Sequence, residues 1–189
     1  MTITAATLPM AKSPVIIPQP RTTKMYRDLG QFYIDPRREP SERFRLLAKD
    51  GQIDASVTPE VREKLFPRDR AQREKVLEIG LLACPKRDYA SIIRKNSEAM
   101  LAKHGYRFGG FGGFLGFFLA CPHVTCPGRV LALGHDMSRS RDIMLGIQNC
   151  SHERWDTRKV IAERLSELGK DMSTLFAKPI FIIIVKDLN

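Results

Sequence analysis

Seven residues near the C-terminus constrain this chain more than any other feature. Residues 179–185 read Pro-Ile-Phe-Ile-Ile-Ile-Val, apolar at every position after the proline. A strand points successive side chains to opposite faces, so a run that is apolar on both alternating sets has no side to give to water. The segment is therefore predicted to be a fully buried central strand.

The residues before it suggest what surrounds that strand. Residues 129–133 (RVLAL) read as a short buried strand, followed by a polar, charged turn at 134–141 and a short helix over 142–148. Asp156 is placed to cap a longer helix over 157–175, where Ile161, Leu165, Leu168, Met172 and Leu175 keep helical spacing. Strand, turn, helix, helix, strand is an α/β order. It predicts an α/β core over 106–189.

The front half reads differently. Residues 1–24 are rich in Thr, Ala and Pro and read as a flexible arm, and 25–36 alternate enough for a short strand. Helices are predicted over 41–49, 58–67, 68–83 and 87–104, with Gly105 as the last one's stop. In that last helix Tyr89, Ile92, Ile93, Ala99 and Met100 lie near one side, and Arg87, Arg94, Lys95 and Glu98 on the other. The expected fold is thus α/β (α+β), a basic helical part (41–104) packed on a small mixed-sheet core, with 25–189 a single domain.

Charge narrows the partners. Apolar residues make up 43 % of the 189, enough to fold, and 31 basic residues against 21 acidic ones leave a net charge of +10. Between Val61 and Arg107 stand twelve basic and six acidic residues. Such a surplus favours polyanions, because each neutralised phosphate releases condensed counterions. Lys86, Arg87, Arg94, Lys95 and Lys103 are the candidates for tracking a DNA backbone, against the plainer reading of a solvated helical face. The first 24 residues show no secretory pattern, and the longest apolar stretch, 108–120, is 13 residues with five glycines, too short to span a bilayer. A cytoplasmic protein without membrane insertion is expected. The four cysteines are read as thiols or metal ligands rather than a disulfide framework.

Three places offer chemistry. The turn GHDMSRSRD at 134–142 would join a strand end to a helix start, where free amides and the helix dipole receive phosphates. Gly134, Ser138, Arg139 and Arg141 are then the nucleotide-binding candidates, and His135, Asp136, Arg139 and Arg141 the catalytic ones. The alternative is that His135 and Asp136 cap the turn while the arginines pair with Asp142 or solvent. Cys121, His123, Cys126, Cys150 and His152 could supply a zinc site, although their spacing matches no standard finger and cysteine is commonly a small buried hydrophobe. The aromatic, glycine-rich run from Phe108 to Gly116 lacks a G-x-G-x-x-G fingerprint, a Walker lysine and the RNA-recognition pattern. It reads as a tightly packed strand and turn more readily than as a base-stacking surface.

The strand ending in Gly134, the His- and Arg-bearing turn through Arg141 and the closing strand at 180–186 resemble the core of the ParB/sulfiredoxin superfamily. Together with the length and the basic front half, the chain is similar to the plasmid fertility-inhibition factors of that superfamily. The resemblance implies a bacterial cytoplasmic protein that blocks DNA transfer through a type IV secretion (conjugation) system. Its implied partners are DNA or a relaxase–DNA nucleoprotein and secretion components. It also implies hydrolysis of ATP or another nucleoside triphosphate and DNA cleavage, with Mg as an accompanying ion. Two rivals stand beside this enzyme reading. One is a non-catalytic basic adaptor, stabilised by zinc or not. The other is a protein-only partner that docks through the apolar 108–120 run.

Overall fold

The structure is a computed structural model that describes residues 13–35, 45, 52–53, 57–58, 74–85, 96–133, 143–148, 159–164 and 179–188. In chain order the strands are β1 (Val15–Ile16), β2 (Lys24–Ile34), β3 (Gln52–Ile53), β4 (Lys75–Cys84), β5 (Arg107–Phe108), β6 (Val124–Thr125), β7 (Arg129–Ala132), β8 (Ile143–Gln148), β9 (Lys159–Arg164) and β10 (Ile180–Asp187). The helices among the described residues are α1 (Asn96–Ala102) and α2 (Gly110–Ala120).

The central strand is where the apolar run predicted it. β10 lies between β4, antiparallel along eight residue pairs, and β7, parallel from Ile180 to Ile182. The order across the sheet is β2-β4-β10-β7-β8-β9-β3, and β5 pairs with β10 past the end of β7. A separate parallel pair, β1 with β6, holds residues 15–16, and Ile17 is buried, so this part of the stretch read as an arm is docked.

The two faces of the sheet are packed differently. Leu77, Ile79, Leu81 and Ala83 of β4 and Phe181, Ile183 and Val185 of β10 point to one face, where α2 contributes Phe114, Leu115, Phe117 and Phe118 to a single core. We call this the closed face. On the opposite face, Leu82, Cys84, Ile180, Ile182 and Ile184 pack with Leu101 of α1 and with Tyr106 and Phe108. That cover reaches only part of the sheet. At the far end of β2, β4 and β10 it does not extend over Tyr33, Val76 and Leu188, and this end is the open face.

α2 reaches the sheet closely because its glycines form a stripe at i, i+3, i+4 and i+7. A Cβ on Gly109, Gly112, Gly113 or Gly116 would lie under 3.0 Å from Ile183, Ile34, Val185 or Ile79 respectively. The run that reads as strand and turn is therefore a helix. Its close backbone approach was foreseen, but the partner is a sheet beneath it.

The expected fold is corrected in its main feature. The described residues are mostly sheet, and no helical N-terminal half packed on a small core is found among them. Residues 75–84, inside the helix predicted over 68–83, are β4, buried on both faces between β2 and β10. Residues 143–148 are β8 rather than a short helix, and 159–164 are β9 rather than the start of a long one. Backbone pairing with neighbours decided each of these against local propensity. Of the helix predicted over 87–104, Asn96–Ala102 is helical, and Gly105 follows it at φ 74° as its stop. The helices predicted at 41–49 (apart from residue 45) and 58–67 (apart from Thr58) lie outside the described residues.

Candidate nucleic-acid interface

The strand-to-helix corner is the first sequence-derived site to be revised. Residues 143–148, read as the helix after the turn, are strand β8. β7 is its antiparallel neighbour, with Ala132 opposite Leu145, so residues 134–142 connect two adjacent strands. As a strand, residues 143–148 offer no helix amides or dipole to a phosphate. Gly134, His135, Asp136, Ser138, Arg139 and Arg141 themselves lie outside the described residues. The root of the connection is described: the Gly110 N–H donates to the Leu133 carbonyl at 2.9 Å.

The other predicted sites divide. Cys121 and Cys126 are buried in the closed-face core and His123 is half-buried, while Cys150 and His152 lie outside the described residues. Among the described residues no three His, Cys, Asp or Glu side chains form a group able to hold a metal. Phe108, Phe114, Phe117 and Phe118 are core residues, which removes both base stacking and an exposed docking patch as roles for the 108–120 run. Of the backbone-tracking set, Lys86, Arg87, Arg94 and Lys95 lie outside the described residues, and Lys103 is exposed on the turn after α1.

Around Lys103 the fold assembles a group that the sequence did not show. β2 carries a bulge between Tyr26 and Gly30, with Asp28 at φ 50°, a left-handed conformation that aspartate tolerates better than most residues. The bulge brings Arg27 to His104, 77 residues away: Arg27 Nη2 donates to His104 Nδ1 at 3.2 Å. The bond requires Nδ1 to be the unprotonated ring nitrogen. Lys186 of β10 passes the same turn, since a Cβ on Gly105 would lie 3.7 Å from its Cε. Arg27, Lys103, His104 and Lys186 thus come from the bulge, the α1–β5 turn and the central strand to one end of the sheet.

Three acids near this end are already engaged. Tyr106 donates its hydroxyl to Glu78, which stands opposite Lys186 in the β4–β10 register. Burial, then the hydrogen bond and charge of Glu78, push the Tyr106 phenol well above its usual range; the Asp28 backbone and Arg27 oppose the shift. Asp187 takes Arg107 at 2.8 Å and Lys75 at 3.2 Å. Partial burial alone would raise the Asp187 carboxyl, but the bond and charge of Arg107, with those of Lys75, hold it below the ordinary carboxylate range. Tyr33 donates to Glu74. Asp28 is the further acid of the bulge. Among the described residues, Arg27, Lys103 and Lys186 are in no ion pair.

No helix among the described residues is long and apolar enough to cross a membrane. Comparison of the chain with protein-family models, curated proteins and solved structures finds no match. Function is therefore read from the residues themselves.

Proposed function

We propose that the protein is a nucleic-acid-binding factor whose sheet end, built from Arg27, Lys103, His104 and Lys186, engages a phosphate backbone. The observation that carries this reading is the convergence of these groups from distant parts of the chain, with three cations outside any ion pair among the described residues. Cations not already held by carboxylates need to break no pair before meeting a phosphate. The overall charge of +10 acts in the same direction at long range.

For the biological setting the reading draws on the family resemblance of the 134–141 turn. In that setting the protein captures DNA or a relaxase–DNA nucleoprotein and blocks its transfer through a type IV secretion system. Nucleotide hydrolysis and DNA cleavage form a second reading. Its support is the same resemblance, which implies both activities. Incubating the pure protein with labelled ATP and with DNA, with and without Mg, decides between catalysis and binding alone. Absence of turnover removes the second reading and leaves the first.

The binding reading has its own test. Fluorescence anisotropy of labelled DNA over a salt series should show affinity falling steeply as salt rises. Replacing Arg27, Lys103 and Lys186 together by Ala should flatten the log–log slope by about 2 to 3, since each phosphate contact contributes roughly 0.7 to 0.9. A triple variant that binds with the wild-type slope would falsify the assignment of this end.

A further inference from the structure

The cations border a part of the sheet that neither helix covers. Three register-matched residues form a row across β2, β4 and β10 on the open face. Tyr33 is opposite Val76, and the Leu188 N–H donates to the Val76 carbonyl at 3.0 Å. Tyr33 is 53 % exposed and Leu188 40 %, while Val76 between them is half-buried. The adjacent row, two residues along each strand and about 7 Å away, is Gln31, Glu78 and Lys186. Beyond it lie the bulge with Arg27 and the turn with Lys103 and His104. The Tyr33 hydroxyl is tied to Glu74, so the ring is held at its rim and its exposed surface remains accessible.

We propose that this open face is a platform for single-stranded nucleic acid, a specificity that rests on the nucleic-acid reading above. A base stacks on the Tyr33 ring and rests along Val76 and Leu188, and the neighbouring phosphates run over Lys186 toward Arg27 and Lys103. Any base offers a π face to an aromatic ring, so the contact tolerates sequence, and cations along one side track the backbone. A duplex keeps its base faces stacked inside and cannot use Tyr33 in this way. The chemistry therefore separates single strands from duplexes, even though both carry phosphates for the same cations. Glu78 stands in that row opposite Lys186, its carboxylate already bonded by Tyr106, and Glu74 and Asp28 are the further acids of this region.

The test is anisotropy with a labelled mixed-sequence oligonucleotide, single-stranded and as a duplex of the same length, on the full chain. The wild type should bind the single strand more tightly. Tyr33→Ala should weaken single-strand binding by about tenfold, a typical effect of removing one stacked base contact, and leave duplex binding unchanged. Tyr33→Phe keeps the ring and loses only the bond to Glu74, so it should bind as wild type. Tyr33→Leu keeps apolar bulk without the π system, so it should behave like the Ala variant even if that variant folds poorly. Wild-type single-strand affinity in Tyr33→Leu, or a wild-type preference for the duplex, overturns the platform and leaves general DNA binding standing. A wild type that binds neither form overturns both readings.

Discussion

The same strands present two unlike surfaces. On the closed face of the sheet, β4 offers Leu77, Ile79, Leu81 and Ala83 to a glycine-faced helix, and all four are buried. On the open face, two residues of that strand, Val76 and Glu78, stay half-buried under no helix of the described residues, next to exposed Tyr33 and Leu188. One side therefore holds most of the burial that stabilises the fold, and the other holds the groups that are left to meet a ligand. Conformational stability and recognition are carried by alternate residues of one strand, so they should respond to mutation almost independently.

The sharpest way to break that comparison is in the closed core. Phe117 is fully buried within the cluster that joins α2 to the sheet. Phe117→Ala should destabilise the protein by about 3–5 kcal/mol through lost burial and a residual cavity. Urea or thermal unfolding would measure the loss. The same measurement on Tyr33→Ala should show a loss of no more than about 1 kcal/mol, as expected for an exposed strand position that gives up a ring favoured in strands. If the two substitutions cost the same, the faces do not divide as described.

A smaller effect is expected at the seam. A Cβ on Gly116 would lie 2.6 Å from Ile79 Cδ1 and 2.9 Å from Phe32 Cβ. Ile79 is fully buried, so its side chain has little room to retreat. Overpacking of this kind costs about 1–3 kcal/mol, and replacing glycine by alanine in a helix returns up to about 1 kcal/mol. Gly116→Ala should therefore lower the unfolding free energy by about 1–2 kcal/mol and leave nucleic-acid binding intact. A stabilised Gly116→Ala would show that α2 can lift from the sheet without penalty.

How much of this was legible follows the same division. The central strand could be read because burial on both faces leaves a continuous apolar run, and the strands read over 129–133 and 25–36 are β7, beside it, and β2, one strand further out. β4 has nearly the same burial, but its Lys, Leu, Glu and Ala residues are good helix formers, and only pairing with two neighbours makes it a strand. In β8 and β9, Gly146 was the overlooked sign: its Cβ would sit 3.1 Å from Leu131 and 3.3 Å from Ile161, the close approach of paired strands. The glycine stripe of α2 was also visible, at helical spacing, but four glycines in an 11-residue segment argue against a helix until the sheet beneath it is known. The cationic end was not legible at all, apart from Lys103. Arg27, His104 and Lys186 are far apart in sequence, and only the β2 bulge and the strand registers bring them together.

The rim of the closed face yields the smallest effect. There Asp187 ties the ends of three strands, bonding to Arg107 of β5 and Lys75 of β4. Its carboxyl is held below the ordinary range in the folded chain, so folding favours the ionised form. That contribution is present at neutral pH, above the unfolded carboxylate value of about 4, and disappears as the pH falls through the lower folded value. Asp187 is 41 % exposed, so solvent screening limits the pair to no more than about 1 kcal/mol. Asp187→Asn should accordingly be slightly less stable than the wild type at pH 7, with the gap closing as both are acidified below pH 4. A gap that stays constant into strong acid would mean that the side chain acts there by shape and not by charge, and that the rim, like the interior, is held by packing.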